Sequence, residues 1–114
     1  MPTAAQHLRQ RDSNRRLLNE PVLQGGAYCD WQITIAFYVA VHHVEEALAR
    51  LHNEHSAHHA DRFRRILQHW PLAYDPLQVL YRRSLWARYD CRDCGPADVR
   101  QAVAALQTVQ ALVT

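Results

Sequence analysis

The chain has 114 residues, of which 48% are hydrophobic and 21% charged, and its formal net charge is +2. This composition is typical of a single folded domain and excludes a disordered chain. The apolar runs are too short and too often interrupted by charge for a membrane span, and residues 1–20 carry four arginines without the apolar segment of a signal peptide, so we expect a soluble cytoplasmic protein with no membrane partner.

The first two predicted elements are a polar surface helix and a long central helix. We expect the first helix over residues 3–20, where Leu8, Leu17 and Leu18 stand among many polar residues and Pro21 ends the helix. A loop at residues 24–26 follows. Residues 27–52 are predicted to form one helix because they contain no glycine or proline.

The central helix is predicted to be apolar on nearly every side, which places it in the middle of a bundle. In that position the polar groups of Tyr38 and His42 would need partners. Its three sectors are an apolar face of Ile33, Phe37, Ala40, Val44, Ala47 and Leu51, a narrow sector facing water with Gln32, His43, Glu46 and Arg50, and a third with Trp31, Ile35, Tyr38, His42 and Ala49.

Three shorter helices are expected after the central one. Ser56 is the expected N-cap of a helix that Pro71 ends, Asp75 caps the next, and Pro96 opens the last. Their inner faces are predicted to be His59, Phe63, Ile66 and Trp70, then Leu77, Leu80, Tyr81, Ser84, Leu85 and Arg88, then Val99, Val103, Leu106, Val109 and Val113. The predicted fold class is therefore all-α, an antiparallel up-and-down bundle of about five helices in one domain over residues 1–114.

The cysteines and arginines are the next features with a bearing on function. Three cysteines are an odd number, which is not a disulfide framework and fits a reducing compartment. Cys91 and Cys94 have the gap of a metal knuckle or a redox pair, but no second pair follows, so we interpret them as a turn with two thiols. All thirteen basic residues are arginine, which reflects either selection for bidentate phosphate contacts or a coding bias.

Three short motifs follow one another between residues 30 and 90. Residues 30–38 read Asp-Trp-Gln-Ile-Thr-Ile-Ala-Phe-Tyr and are followed on the same helix by His42 and His43. Residues 56–62 read Ser-Ala-His-His-Ala-Asp-Arg, and residues 84–89 read Ser-Leu-Trp-Ala-Arg-Tyr. The first resembles a HEPN-domain helix with an aromatic residue, a Phe-Tyr or Tyr-Tyr pair and then histidine. The other two resemble the Ser-His-x-x-Arg and Ser-x-x-Ala-Arg-Tyr segments of one branch of that superfamily.

The resemblance to HEPN domains implies a helical bundle that forms a homodimer and binds or acts on RNA or nucleotides. Members of the family often occur beside a nucleotidyltransferase partner protein, in toxin-antitoxin systems or in defence against foreign nucleic acid. Many are ribonucleases that need no metal and no cofactor. In their chemistry histidine exchanges the proton of a 2′-hydroxyl while arginine binds the phosphate and stabilises its developing charge.

The active residues of such ribonucleases follow a pattern of arginine, four to six residues, and histidine at the dimer interface. Arg50 and His55 match this pattern with four residues between them. By the resemblance they are candidate catalytic residues. The match lies at the end of the central helix, however, which is earlier in the chain than the motif of the active nucleases.

Two more histidines and a set of arginine and tyrosine residues are further site candidates. His42 is either a catalytic residue in a polar pocket or a core histidine with a satisfied hydrogen bond. Arg88 either binds an anion or pairs with a carboxylate such as Glu45 inside the bundle. The candidates are His42 and His59 for catalysis, with Arg62, Arg88, Tyr38 and Tyr89 for phosphate or ligand binding.

The clustered histidines offer a different interpretation, as metal ligands. His52, His55, His58 and His59 lie close in sequence to Glu54 and Asp61, and imidazole with carboxylate suits zinc, nickel or copper. The spacing is not that of a known site, so we expect no resident metal. The leading hypotheses are a HEPN-like protein that binds or cleaves RNA and, alternatively, a non-catalytic module for dimerisation or partner binding.

Overall fold

The computed structural model describes residues 1–90 and 92–114, and these residues form helices joined by short turns, with no strand among them. The helices are α1 (Ala4–Leu18), the single-turn α2 (Pro21–Gln24), α3 (Cys29–His52), α4 (His59–His69), α5 (Tyr74–Tyr89) and α6 (Pro96–Leu112), and a 3₁₀ turn at Pro71–Ala73 leads into α5. The predicted all-α fold with about five helices is confirmed. None of the described helices combines the length and hydropathy needed to cross a membrane.

Helix α3 is the centre of the bundle and packs against α1, α2, α5 and α6. The predicted apolar face from Ile33 to Ala47 is buried, as expected. Leu51 is 45% exposed because it lies in the last turn of α3, just before the chain turns away. Gln32 and Glu46 were predicted to face water but are buried, because neighbouring helices cover α3 on several sides.

Two of the predicted helix starts are wrong. Helix α4 begins at His59 and is capped by His58, whose Nδ1 accepts a hydrogen bond from the Asp61 backbone N–H at 3.1 Å, and Ser56 is not its cap. Asp75 lies inside the first turn of α5, because that helix continues directly from the 3₁₀ turn before it. A helix that follows another helical turn has backbone partners already and needs no side-chain cap.

The turn after α3 is made by Asn53 in the left-handed region, with φ 53° and ψ 40°. Its backbone N–H and that of Glu54 both point back to the Leu48 carbonyl at the end of the helix. Asparagine tolerates this conformation better than most residues. The turn directs the chain from α3 towards α4 and so sets the path of the segment that contains His55.

The cysteines depart from the sequence-based expectation, because Cys29 and Cys94 form a disulfide. They are 65 residues apart in sequence, but the packing of α6 on α3 brings their Cα atoms to 5.9 Å. An odd number of cysteines does not prevent one pair from forming, and no local pattern predicts a contact between the ends of two helices. Cys91 lies outside the described residues, and the prediction of a turn with two thiols is wrong at Cys94, whose sulfur is bonded to Cys29.

Candidate functional site

His7 of α1 and His42 of α3 form a direct contact between their imidazole rings. The two Nδ1 atoms are 3.0 Å apart, which is a hydrogen-bond distance. One Nδ1 must carry a proton and donate it, while the other must accept with a lone pair. The accepting ring is therefore neutral, the two rings carry different Nδ1 protonation, and each has only Nε2 left for another partner.

Burial keeps this histidine pair neutral. Desolvation lowers the pKa of both His7 and His42, and each is affected further by nearby charges: Arg62 lowers both pKa values, whereas the Glu45 carboxylate partly opposes the shift. His7 is only 8% exposed. His42 is less buried than His7, and a neutral imidazole that a substrate can reach is a competent proton acceptor at neutral pH.

The pair lies at an open groove of about 800 Å³ on the α1 side of the bundle. We call it the histidine groove, and its lining residues are Met1, Pro2, Gln6, His7, Arg9, Gln10, Ser13, Arg16 and His42. No carboxylate is among these lining residues. Neither Arg9 nor Arg16 forms an ion pair within residues 1–90 and 92–114. The groove is thus positively charged and suits an anionic ligand.

A second histidine contact holds α1 on α3 beside this groove. The Arg11 guanidinium donates to Nδ1 of His43 at 3.2 Å, and Nε2 of His43 donates to the Val113 carbonyl at 2.8 Å. His43 must therefore be neutral, with its proton on Nε2. Burial lowers the pKa of His43, and the carbonyl of Val113 opposes this in part. Both contacts between α1 and α3 depend on neutral imidazoles.

A buried ion pair joins α3 to α4, and its charges act on both His7 and His42. Arg62 Nε donates to Glu45 Oε1 at 2.9 Å, and the two residues are 9% and 3% exposed. The other carboxylate oxygen of Glu45 accepts from the backbone N–H of Ser56 at 3.4 Å. Arg62 also donates to Nδ1 of His59 at 2.7 Å. Arg62 is therefore a structural cation with a fixed carboxylate partner, and its remaining contact orients His59.

His59 is held in an aromatic environment next to two arginines. Its ring centroid lies 5.5 Å from that of Phe37 and 5.0 Å from that of Tyr81. Burial lowers the pKa of His59, and the charges of Arg62 and Arg88 lower it further. Because Nδ1 accepts from Arg62, the proton sits on Nε2. The ring contacts and the Arg62 hydrogen bond give His59 a structural role in this region.

Arg88 does not pair with Glu45, because Arg62 occupies that carboxylate. Instead Arg88 donates to the Ser84 carbonyl at 3.1 Å, to the Ser84 hydroxyl at 3.3 Å and to the Tyr38 hydroxyl at 3.0 Å. Within the described part of the chain, no carboxylate forms an ion pair with it. Arg88 is partly buried, and its guanidinium carbon lies 5.2 Å from the centroid of the exposed Tyr89 ring.

The structure does not join Arg50 to His55 in a single site. Arg50 Nε donates to Glu46 Oε1 at 2.7 Å across one helical turn, and its side chain is half-exposed. Nδ1 of His55 is buried and has no hydrogen-bond partner among the described atoms. In residues 1–90 and 92–114, neither a hydrogen bond nor an ion pair links the two side chains. The left-handed turn at Asn53 separates them.

The histidines that are clustered in sequence are dispersed in the fold. His52 stacks on His69 with ring centroids 3.6 Å apart, and His69 contacts the Glu54 carboxylate at 3.1 Å. His58 caps α4, and His59 binds Arg62. Over the residues that the structure describes, no group of three or more potential ligands is arranged to hold a metal ion.

His7 is the site residue that sequence reasoning missed. The first helix was expected at the surface, so none of its polar residues was expected to face the bundle. In the structure α1 packs on α3 through a largely polar stripe. The sequence feature that could have identified this inner face of α1 is a helical spacing of three and four residues. Most residues at that spacing are polar, and they are Ala4, His7, Arg11, Asn14 and Leu18. Comparison with protein-family models, curated proteins and solved structures finds no match to this chain.

Proposed function

We propose that the protein binds RNA in the histidine groove and cleaves it without a metal ion. The observation that carries this proposal is the pair of imidazoles, His7 and His42, whose Nδ1 atoms lie 3.0 Å apart at a groove lined by Arg9 and Arg16. Arginine binds phosphate through paired N–H groups, and histidine transfers protons near neutral pH. The groove thus combines the two functional groups that cleavage at a 2′-hydroxyl needs.

The hydrogen bond between the imidazoles supplies a route for the proton. The ring that donates through Nδ1 has a free lone pair at Nε2, and this atom accepts the proton of the 2′-hydroxyl. As the 2′-oxygen bonds to phosphorus, the Nδ1 proton moves to the second ring. That ring then gives its Nε2 proton to the 5′-oxygen as the bond from phosphorus to that oxygen breaks. Arg9 and Arg16 stabilise the charge on the phosphate oxygens.

The proposal also covers the protein family and the biological setting in which the protein acts. We propose a HEPN-like protein that acts in a toxin-antitoxin or defence setting, supported by the all-helical bundle and by the three motifs between residues 30 and 90. A homodimer belongs to the same proposal. The histidine groove is a different site from the Arg50 and His55 motif that the resemblance implies. Substitutions that abolish activity therefore distinguish the two sites.

The test is incubation of untagged protein with a mixed pool of labelled RNA in the presence of EDTA. Variants His7→Ala, His42→Ala, His59→Ala, Arg50→Ala and His55→Ala are compared after each has been checked for folding by circular dichroism. We expect the His7 and His42 variants to lose RNA cleavage and the Arg50 and His55 variants to keep it. Loss at Arg50 and His55 alone would move the site to the family motif. His52→Ala removes an exposed imidazole and is the matched control.

A second candidate function is a non-catalytic module that binds a partner protein, such as a nucleotidyltransferase. The placement of Arg50 favours it, because this arginine is bound to Glu46 and is not connected to His55. This alternative predicts no RNA cleavage at any protein concentration by a folded wild-type chain. It also predicts a stable complex with the partner in gel filtration, unchanged by His7→Ala or His42→Ala.

A further inference from the structure

A second pocket lies between the start of α3 and the end of α5. It has a volume of about 280 Å³, and we call it the aromatic pocket. Its lining residues are Asp30, Trp31, Thr34, Ala87, Arg88 and Tyr89. The volume lies just below the roughly 300–1,000 Å³ that is usual for ligand pockets, so it suits one nucleotide unit better than a large cofactor.

The two aromatic side chains of this pocket are strongly exposed. Trp31 is 54% exposed and Tyr89 is 68% exposed. A tryptophan that stays exposed in the first turn of the central helix gains little from folding, but it provides a flat surface on which a base can stack. Trp31 was predicted on a sector that also contains Tyr38 and His42, and the structure leaves it open to solvent instead of covering it.

The polar groups of the pocket have opposite charges. Arg88 makes three hydrogen bonds within the bundle but no ion pair in the described residues, and its guanidinium has further N–H groups for an anion. Asp30 is exposed, and its Oδ1 accepts the backbone N–H of Trp31 at 2.9 Å. Its second oxygen and the remaining lone pair of Oδ1 are available to accept from two neighbouring donors on a ligand. A suitable ligand is therefore anionic near Arg88, flat in the middle and a hydrogen-bond donor near Asp30.

We infer that the aromatic pocket binds one guanine nucleotide of a single-stranded RNA. Guanine presents two neighbouring donors, N1–H and the N2 amino group, and a carboxylate accepts both. Adenine offers one amino donor beside a ring nitrogen that repels a carboxylate. The base stacks on Trp31, and Arg88 binds its phosphate. This inference rests on the proposed function, because it gives the RNA that enters the histidine groove a preferred sequence.

The position of the pocket relative to the histidine groove fits one strand that reaches both. Trp31 and His42 are eleven residues apart on α3 and share the sector that also holds Tyr38. At the rise of an α-helix this separation is about 16 Å along the axis. A few nucleotides of single-stranded RNA cover that length. The guanine therefore lies a few nucleotides from the phosphate that is cleaved.

Fluorescence anisotropy with short labelled oligoribonucleotides tests this inference. The probes are a uridine tract that contains a single guanosine and the same tract with adenosine in its place, both with 2′-O-methyl groups so that no cleavage occurs. We expect the guanosine probe to bind at least about fivefold more tightly. Asp30→Asn should bring the ratio close to one, whereas Trp31→Ala should weaken the binding of both probes by about tenfold.

Matched controls and the groove variants separate the two proposals. Tyr28→Ala removes an exposed aromatic ring at the same end of α3, Asp75→Asn removes an exposed carboxylate of α5, and neither residue lines the pocket. Equal binding of both probes, a guanosine preference that survives Asp30→Asn, or binding that Trp31→Ala leaves unweakened would overturn the inference while leaving the proposed function intact. Absence of binding to either probe would overturn both.

Discussion

The carboxylate of Glu45 and the guanidinium of Arg62 meet at 2.9 Å inside the bundle and join α3 to α4. The pair gives the Glu45 charge a partner. Without it the carboxylate would be buried alone, because Glu45 lies on a face of α3 that neighbouring helices cover. It also fixes Arg62, which in turn orients His59. The pair therefore decides which arginines remain available for a ligand, and Arg88 is one that does.

Removing one partner of this buried pair should be strongly destabilising. We expect Arg62→Met to lower the free energy of unfolding by about 3–5 kcal/mol, because the Glu45 charge is then buried without a partner. The double variant Glu45→Leu with Arg62→Met should recover most of this loss. Chemical denaturation measures both values. A single variant within about 1 kcal/mol of the wild type would show that the pair is not desolvated.

Acid should destabilise the fold before it protonates the carboxylates. Burial lowers the pKa of His7, His42, His43 and His59 below the ordinary value of 6.5. As the pH falls below about 6.5, the unfolded chain takes up protons that the folded chain does not, so the free energy of unfolding decreases. Above about pH 7.5 these groups are neutral in both states and contribute no slope.

Denaturation series between about pH 8 and pH 5 measure this slope, and His43→Gln should make it shallower. His52→Gln, which removes an exposed imidazole, should leave the slope as it is in the wild type. A stability that does not change over this range would contradict the neutral contacts of His7 with His42 and of Arg11 with His43. In that case the rings would be arranged differently in solution.

The disulfide between Cys29 and Cys94 should contribute substantially to stability. It closes a loop of 65 residues, for which the chain-entropy model gives about 4 kcal/mol as an upper value. We expect the variant with Cys29→Ser and Cys94→Ser to unfold at lower denaturant concentration by a corresponding amount. Mass spectrometry after alkylation without reductant identifies the pair directly. Alkylation of both cysteines in the folded protein would contradict the bond.

Asn53 should tolerate glycine but not alanine. Its left-handed conformation costs a residue with a Cβ atom about 1 kcal/mol, whereas glycine adopts it freely. We therefore expect Asn53→Ala to lower the free energy of unfolding by about 1 kcal/mol and Asn53→Gly to change it by less than about 0.5 kcal/mol. Thermal unfolding of the two variants measures the difference. Equal stability would show that the turn relaxes.

The sequence was most informative where apolar residues alone decide the packing. The central helix could be placed within two residues of its start, because its apolar residues recur at helical spacing without glycine or proline. The inner face of α1 could not be found in this way. His7 and Arg11 are buried or partly buried because His42 and His43 supply partners from more than thirty residues away, and local periodicity contains no such information.

The helix caps and the cysteine pair were missed for a related reason. Ser56 has the side chain that N-caps favour, but the chain continues to His58 before the helix begins. Asp75 is preceded by a 3₁₀ turn that makes a cap unnecessary. Cys29 and Cys94 meet only after α6 has packed on α3. Each of these features depends on tertiary contacts, and so does the selection of Arg62 over Arg88 as the partner of Glu45.

The most direct test of the central claim is the cleavage of a defined RNA and its DNA counterpart in EDTA, with the products identified by mass spectrometry. The account predicts that only the RNA is cut, that the product ends in a 2′,3′-cyclic phosphate, and that His7→Ala and His42→Ala each abolish the reaction in folded protein. Cleavage of the DNA, dependence on a metal ion, or full activity in both histidine variants would contradict it.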